Sequence, residues 1–228
     1  MALSLTQKPT FHRLNWVVEA NPDGRIHLES YLFSKRLMDL MIVYLTAPFW
    51  VPLMLIIALL IKIESPKGSV LFFQKRTGKG GNRFQMYKFR TMVPNAEELK
   101  KELAHLNELK WPDFKISNDP RITKIGKYLR KLSLDELPQI LNVITGDMSL
   151  VGPRPTSFKA ETYSLWQTER LDVQPGITGL WQIIGRGSTE FDDRLRLDIA
   201  YIQHRSLRLD FQILIRTVFA CLERRGAY

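Results

Sequence analysis

The sequence is poor in cysteine and in metal-binding patterns. It contains a single cysteine, Cys221, which excludes an internal disulfide framework and is typical of a reducing compartment. Its four histidines are scattered without the spacing of metal ligands, so we expect no structural zinc site. No internal repeat is visible, and the first apolar run begins only near Leu40, too late for a secretory signal. These features point away from a secreted, disulfide-stabilised or zinc-stabilised domain.

Acidic residues are outnumbered by basic ones, and the formal net charge is +10. A basic chain favours anionic partners, which include nucleic acid, acidic lipid headgroups and phosphorylated substrates. Charge alone does not choose among them. With 228 residues and 45% hydrophobic content, the chain can bury one sizeable core, so we expect one or at most two domains.

One long apolar run, from Leu40 to Ile61, contains no charged residue. As a helix it would be roughly 33 Å long, enough to cross a hydrocarbon core. Pro48 and Pro52 lie inside it and each removes a backbone donor, so we expect a bend near the middle. The positive-inside rule gives no reason to place the two ends of this segment in different compartments, because both are flanked by basic residues. These are Lys35, Arg36, Lys62 and Lys67. A re-entrant hairpin of two half-helices satisfies both facts; a kinked single span is the simpler alternative, and a buried core helix is the weakest.

A β-hairpin and several helices are expected after the apolar run. Ser69 to Gln74 and Phe84 to Lys88 have strand composition, and the glycines between them favour a turn. Asn95 is a candidate N-cap for a surface helix that ends before Trp111 and Pro112. A second helix should start at Asp119 and Pro120, and Gly146 should close the helix that follows it. The apolar face of the second helix would consist of Ile122, Ile125, Leu129 and Leu132.

The C-terminal region also has helical periodicity. Its broad apolar face consists of Phe211, Leu214, Ile215, Val218, Phe219 and Leu222, and arginines surround that face: Arg208, Arg216, Arg224 and Arg225. This pattern is typical of an interfacial helix with arginines among anionic headgroups. A terminal helix docked on the protein core has the same pattern, and the two interpretations are equally open.

Two adjacent carboxylates, Asp135 and Glu136, are the central chemical signal. Near a helix start they could act as nucleophile and metal ligand, where the helix N-terminus attracts phosphate. Ser133 with Glu136 three residues later is also a capping-box pattern, although Pro138 fits such a cap poorly. On this local pattern alone, a structural cap is the favoured interpretation.

An ordered series of motifs changes that balance. After the proline-broken apolar segment come Phe73-Gln74-Lys75-Arg76 with Gly78, Lys88-Phe89-Arg90-Thr91-Met92, the Asp135-Glu136 element, Gly152-Pro153-Arg154-Pro155, and Val173-Gln174-Pro175-Gly176-Ile177-Thr178-Gly179. From about Lys35 to Ala227 the chain resembles the bacterial sugar transferases, the monotopic polyprenyl-phosphate phosphoglycosyl transferases. The probability that so many elements agree in order by chance is very small.

The resemblance implies an α+β, predominantly helical, monotopic membrane protein. It would have a proline-broken re-entrant helix hairpin, a small β-hairpin and interfacial amphipathic helices. Residues 1–31 would form an N-terminal extension, 32–66 the membrane hairpin, and 67–228 the cytosolic catalytic domain. The break of the hairpin maps onto Val51 and Pro52, where valine is a departure because it offers no hydroxyl to backbone groups freed at the bend.

The same resemblance implies the chemistry. Asp135 would attack the β-phosphate of a UDP-sugar, expel UMP and carry a covalent phosphosugar, which a polyprenyl phosphate such as undecaprenyl phosphate would then accept. Asp135 and Glu136 are the expected ligands of Mg²⁺, and Glu136 could also act as a base. Arg130 and Arg154 match positions expected to hold phosphate.

Lys88 and Arg90 match the family's Lys-Phe-Arg element as further anion contacts. The alternative for both, and for Arg130, is a solvated surface charge.

Expected partners are UDP-sugar, polyprenyl phosphate and membrane lipids, at the cytoplasmic face of a bacterial inner membrane. A polysaccharide-initiating hexose transferase is the first hypothesis, and a homodimer is left open. Three alternatives remain: a noncatalytic basic membrane-associated scaffold, a nucleic-acid-binding module, and a transferase that makes a different product, such as one using a soluble acceptor. The second lacks a recognition motif and leaves the apolar segment unexplained, so we expect no nucleic-acid partner.

Overall fold

The computed structural model describes residues 14–22, 24, 27–108, 116, 118–184 and 191–222. Within these ranges the fold is mostly helical with two small β-sheets. The helices are α1 (Asn15–Ala20), α2 (Leu28–Glu64), α3 (Ala96–Glu102), α4 (Lys124–Lys131), α5 (Gln139–Thr145), α6 (Leu180–Ile184), α7 (Phe191–His204) and α8 (Leu207–Leu222). The strands are β1 (Leu71–Thr77), β2 (Arg83–Phe89), β3 (Ser149–Val151) and β4 (Gly176–Thr178). The helical class with a small hairpin is thereby confirmed.

The predicted hairpin forms from β1 and β2, which pair antiparallel with Phe72 opposite Lys88 and Arg76 opposite Phe84. Both strands extend beyond their predicted bounds toward a turn, in which Gly80 has φ 63°. Directly opposed residues share a face of the hairpin, and alternate residues along each strand do the same. Arg76 and Lys88 therefore lie on one face, and Lys75 on the other.

The apolar segment is a single helical element, α2, with Pro48 and Pro52 inside it. Two half-helices were predicted, whereas the structure has one helical element; a re-entrant bend within that element stays a prediction. The carbonyl of Val43, in the turn before Pro48, accepts a hydrogen bond from Trp50 Nε1 at 2.9 Å, so a side chain supports the backbone near the prolines. The helix is long and apolar enough to cross a membrane by length and composition. Its path relative to a bilayer, including a break at Val51 and Pro52, stays a prediction.

Both ends of α2 are fixed to the rest of the fold, while its middle is exposed. Near the start, Arg36 donates to the carbonyls of Val143 and Ile144 at the end of α5. At the other end, the Glu64 carboxylate accepts from the backbone N–H of Lys124 at 2.8 Å, at the start of α4. Between these ties, Phe49 is 78% exposed. The bare apolar stretch therefore lies between two attachments to the same folded unit.

The main core lies where α1, α5, α7 and α8 meet the β3–β4 pair. Val143, Leu197, Leu209 and Ile213 are fully buried there. Leu14 and Val17 join this cluster, so part of the predicted N-terminal extension belongs to the core. The division at residues 31 and 66 stays a prediction, and residues 1–13 lie outside the described ranges.

Helix α8 combines the two interpretations left open by its sequence. Leu209 and Ile213 dock on the core, while a second apolar face remains exposed: Phe211, Ile215, Val218 and Phe219. Arg208 is exposed, and the guanidinium of Arg216 lies 4.1 Å from the ring centroid of Trp16. Arg224 and Arg225 lie outside the described residues.

One predicted helix cap and one predicted helix start differ from the structure. Helix α3 follows Asn95 as expected, but the Asn95 side chain makes no capping bond. Helix α4 begins at Lys124, later than Pro120, because Ile122 pairs with Met92 as an isolated bridge. Thr123 then caps α4 by accepting from the backbone N–H of Gly126 at 3.0 Å. Trp111 and Pro112, the predicted end of the α3 region, lie outside the described residues.

The two proline- and glycine-containing motifs pack against each other through their backbones. Strand β3 pairs with β4 in parallel, and the N–H of Gly152 donates to the carbonyl of Thr178 at 2.9 Å. A Cβ at Gly152 would lie 2.5 Å from the Gln174 carbonyl oxygen, and one at Gly176 would lie 2.1 Å from the Gly152 nitrogen. Only glycine allows this approach, which fixes the position of the residues that follow β3.

Candidate active site

The acidic pair lies in a 3₁₀ turn, Leu134–Glu136, that precedes α5. Ser133 before it adopts a left-handed conformation with φ 56°, and its side chain caps nothing. The predicted capping box is therefore wrong. So is the placement of the acids at a helix mouth, because α5 begins only at Gln139. The left-handed residue instead reverses the chain so that the two carboxylates face the hairpin.

Glu136 is held by two cations. Arg154 donates to it with both terminal nitrogens, Nη1 reaching Oε2 at 3.0 Å and Nη2 reaching Oε1. Lys88 Nζ donates to Oε1 at 2.7 Å. Burial acts to raise the pKa of Glu136, but Arg154 and Lys88 outweigh it and hold that pKa well below its ordinary value. Glu136 is therefore a fixed carboxylate that orients its partners.

Asp135 is held far more loosely. Its Oδ2 lies 3.8 Å from Lys88 Nζ, and within the described residues its carboxylate accepts no hydrogen bond. Its side chain is 14% exposed. Burial, opposed by Lys88 and reinforced by the Glu136 charge, raises the pKa of Asp135. A poorly solvated carboxylate without hydrogen bonds is the more nucleophilic of the two.

Arg130 reaches the acidic pair from α4. Its Nε donates to Thr91 Oγ1 at 2.9 Å, and its charge acts on the Asp135 carboxyl. Burial lowers the pKa of Arg130, and the charge of Asp135 partly restores it. Arg130 is therefore not a solvated surface charge, which was the alternative raised by the sequence.

Further hydrogen bonds hold Lys88 and Arg154, the two cations that donate to Glu136, in place. Asn142 of α5 accepts from the Tyr87 N–H at 3.0 Å and donates to the Gln85 carbonyl at 2.8 Å, which ties the strand of Lys88 to α5. Arg170 Nη2 donates to the carbonyl of Arg154 at 2.6 Å. The backbone on both sides of the acidic turn is therefore rigidly placed.

Arg90 is the predicted site residue that the structure does not bring to the acids. Its guanidinium donates to Ser69 Oγ at the base of the hairpin. The cationic side chains that influence the pKa of the two carboxyls are instead Lys88, Arg130 and Arg154.

A cavity of about 170 Å³ adjoins Arg154, and sequence reasoning missed the residues around it. Arg76 and Arg170 line it together with Asp198. Burial raises the pKa of Asp198 to about 6 even though Arg170 donates to it at 2.7 Å. Strand alternation was a usable signal for Arg76, which shares the face of Lys88, whereas nothing local marks Arg170 or Asp198.

A magnesium site built from protein ligands alone is not found: the described residues contain no group of three or more His, Cys, Asp or Glu side chains placed to hold a metal. Both oxygens of Glu136 already accept from Arg154 and Lys88. The Asp135 carboxylate is available, and Mg²⁺ commonly takes one carboxylate with substrate phosphates. The donor set therefore fits an ion shared with a bound diphosphate, with Asp135 as the protein ligand.

Comparison with known proteins identifies the family. A family model described as bacterial sugar transferase matches residues 30–224. The chain belongs to this family. Its sequence is 44% identical to the galactosyl transferase CpsE of Streptococcus agalactiae, over 87% of this chain and 44% of the relative.

Two further relatives differ in how much of their own length this chain covers. The undecaprenyl-phosphate galactose phosphotransferase of Salmonella typhimurium is 42% identical over 86% of this chain and 42% of its own length. The exopolysaccharide production protein ExoY of Rhizobium meliloti is 40% identical over 86% of this chain and 88% of its own length. This chain thus spans less than half of the first two relatives and most of the third.

Proposed function

We propose that the chain transfers a sugar 1-phosphate from a UDP-sugar to a polyprenyl phosphate and releases UMP. The observation that carries the proposal is the unequal acidic pair, in which Glu136 is immobilised by Arg154 and Lys88 while Asp135 accepts no hydrogen bond from the described residues. An anionic donor is favoured by the three cationic side chains around two carboxylates.

The transfer would proceed in two steps. An oxygen of the ionised Asp135 attacks the β-phosphorus, the bond from that phosphorus to the bridging oxygen breaks, and UMP leaves with the oxygen. An oxygen of the lipid phosphate then attacks the same phosphorus. The bond to Asp135 breaks, the carboxylate is restored, and the product is a lipid diphosphate sugar.

Each cation has a position suited to part of this chemistry. Lys88 lies between the two carboxylates, so it can lower the pKa of Asp135 and contact the phosphoryl group. Arg154 is oriented by Glu136 and Arg130 by Thr91, so both present guanidinium groups to phosphate oxygens. When bound, Mg²⁺ would neutralise charge on the diphosphate, with Asp135 as its protein ligand and Glu136 only after release of its cations.

The lipid acceptor requires the site to lie near a membrane surface. The exposed apolar middle of α2 and the exposed apolar face of α8 belong to the folded unit that carries the acids. We infer that both contact lipid, that α2 enters and leaves the cytoplasmic leaflet of the inner membrane, and that the bend lies near Val51 and Pro52. Engineered cysteines at the two ends of α2 would be labelled from the same side; labelling from opposite sides would refute the re-entrant path.

The decisive experiment on function uses the purified protein with a UDP-sugar and Mg²⁺ but without lipid. The intact mass should increase by one phosphosugar. Asp135→Asn should abolish the adduct and lower the turnover number for UMP release by at least about a thousandfold. Glu136→Gln is the matched control, since it should weaken turnover but leave a nucleophile that can form the adduct. Lipid product without any adduct would mean direct transfer instead.

The sugar and the pathway are further parts of the proposal. Relatives are named for galactose, N-acetylgalactosamine and glucose phosphate transfer, so the family accepts several donors. We propose a hexose donor and a role in starting an exopolysaccharide, as the name of the relative of similar length indicates. A panel of UDP-sugars assayed for UMP release with undecaprenyl phosphate tests the donor, and loss of exopolysaccharide in a strain whose only copy carries Asp135→Asn tests the pathway. A preference for an N-acetylhexosamine donor would contradict the first.

A further inference from the structure

One wall of the active site opens into the cavity that adjoins Arg154. The cavity volume of about 170 Å³ corresponds to roughly ten water molecules. That space is too small for a polyprenyl chain and below the roughly 300 Å³ of pockets that enclose a whole drug-sized ligand, so it suits a flat ring with the attached phosphate at its rim. The charged and aromatic side chains in its lining are Arg76, Arg154, Arg170, Asp198, Phe158, Phe191, Trp181 and Arg194.

The charges in this cavity do not balance. Arg154 is neutralised by Glu136, and Arg170 donates to Asp198 at 2.7 Å. Arg76 has no carboxylate partner within the described part of the chain. Its Nη2 donates to the neutral amide oxygen of Gln74 at 2.6 Å, and its buried Nε has no hydrogen-bond partner.

A buried guanidinium without a counter-ion is unfavourable in the free protein. Burial, and next the neighbouring charge of Arg154, lower the pKa of Arg76 to about 10. An anionic ligand group beside Arg76 would remove this penalty.

The rest of the cavity suits a flat, polar ring. Phe158 and Phe191 meet edge to face with centroids 5.6 Å apart. The guanidinium of Arg194 lies 5.6 Å from the ring centroids of both Trp181 and Phe191. Aromatic rings and guanidinium planes are the surfaces on which nucleobases stack.

The direction of the donor follows from where Arg154 lies. It contacts Glu136 of the acidic turn on one side and lines the cavity on the other. If the phosphorus bonded to the sugar lies at Asp135, the next phosphate reaches Arg154 and Arg76, and the nucleoside enters the cavity. The sugar must then point away from it.

We propose that this cavity binds the nucleoside monophosphate part of the donor, with Arg76 contacting the phosphate that leaves. The inference rests on the proposed function for the identity of the nucleotide. It assigns Arg76 a binding role that holds UMP both before and after transfer.

The test measures UMP binding to the full chain in detergent by calorimetry, without donor sugar or lipid. Arg76→Gln should raise the UMP dissociation constant at least about tenfold, because it removes a charge-assisted hydrogen bond. Arg76→Lys should restore part of the affinity. Lys75→Gln is the matched control, since Lys75 is exposed on the opposite face of the same strand, and it should change the dissociation constant less than about twofold.

Comparison of ligands separates the two ends of the donor. Binding of a hexose 1-phosphate should be unaffected by Arg76→Gln, whereas UMP should compete with the UDP-sugar. Equal UMP affinity in Arg76→Gln and Lys75→Gln, in variants with wild-type thermal unfolding, would overturn the proposal. A chain that binds UMP through Arg76 but releases none from any UDP-sugar would refute the proposed function and leave this site standing.

Discussion

Two buried lysine–carboxylate pairs in this molecule have opposite surroundings. At the junction of α2 and α8, Lys35 Nζ lies 3.1 Å from Asp210 Oδ2, and the same carboxylate accepts from Tyr31 at 3.0 Å and Tyr201 at 2.6 Å. At the acidic turn, Lys88 lies 2.7 Å from Glu136, and the adjoining Asp135 accepts nothing from the described residues. The first cluster encloses a fully buried carboxylate; the second borders a cavity.

The difference shows how a structural ion pair can be told from a functional one. Distance does not separate them, because both are short and poorly exposed. What separates them is whether the acidic groups beside the lysine accept hydrogen bonds and whether a cavity adjoins the pair, since Lys35 Nζ and Asp39 Oδ1 at the junction also lack hydrogen-bond partners but lie inside the fold. Both oxygens of Asp210 are bonded, whereas the second site leaves Asp135 and Arg76 without counterparts among the described residues. Unmet polar groups beside a cavity indicate a ligand.

The largest effect on stability is expected at the junction. Asp210→Asn removes the carboxylate that lies 3.1 Å from the buried Lys35 ammonium and leaves Lys35 with the more weakly coupled Asp39, so the free energy of unfolding should fall by about 3 kcal/mol. Denaturant unfolding in detergent measures this change. Turnover per folded molecule should stay within about threefold of wild type, and a selective loss of turnover with unchanged stability would break the comparison.

A smaller effect, on catalysis rather than on stability, is expected for Arg154→Lys. Lysine keeps the charge but cannot donate to both oxygens of Glu136, so kcat/KM should fall by about tenfold to a hundredfold. The free energy of unfolding should change by less than about 1 kcal/mol. Steady-state UMP release and denaturant unfolding, measured on one preparation, distinguish this outcome from simple destabilisation.

A shift in pH dependence is expected for Lys88→Met. Asp135 must be ionised to attack, so kcat/KM should decline on the acid side as Asp135 becomes protonated. Lys88 is a charge that lowers the pKa of Asp135, against the effect of burial. Its removal should raise that pKa and move the acid limb of the kcat/KM profile to higher pH. A limb that stays in place or moves to lower pH would mean that another group controls it.

The smallest effect is expected for Arg90→Gln. Because Arg90 bonds to Ser69 rather than to the acidic turn, kcat/KM should change by less than about threefold. Arg130→Gln provides the contrast, since Arg130 influences the charge of Asp135 and should matter more. A large loss in Arg90→Gln would restore the role that the motif predicted.

Local sequence patterns predicted the elements whose geometry is set by neighbouring residues. Strand-forming apolar residues on both sides of a glycine turn were enough for the hairpin, and Gly146 ends α5 with φ 88° as expected. The predictions failed where a distant residue decides. Helix α4 starts late because Ile122 pairs with Met92, a contact across thirty residues of sequence that no local pattern contains.

The candidate site likewise contains some residues that the sequence predicted and others that only the folded structure reveals. Family motifs located Asp135, Glu136, Lys88, Arg130 and Arg154, which the structure brings together. Ser133 misled the local interpretation because its positive φ, which is rare outside glycine, removes it from the cap position. The Arg170 and Asp198 pair, 28 residues apart in sequence, could be recognised only once α7 was placed against the loop that carries Arg170.

The close backbone contact between the Gly152 and Gly176 motifs has a consequence for mutational surveys. Alanine at either position would force β3 and β4 apart and displace Arg154 by way of its own main chain. A scan scored by activity would then flag two residues that never meet a substrate. Such positions would be misread as chemistry unless abundance of folded protein were recorded alongside each score.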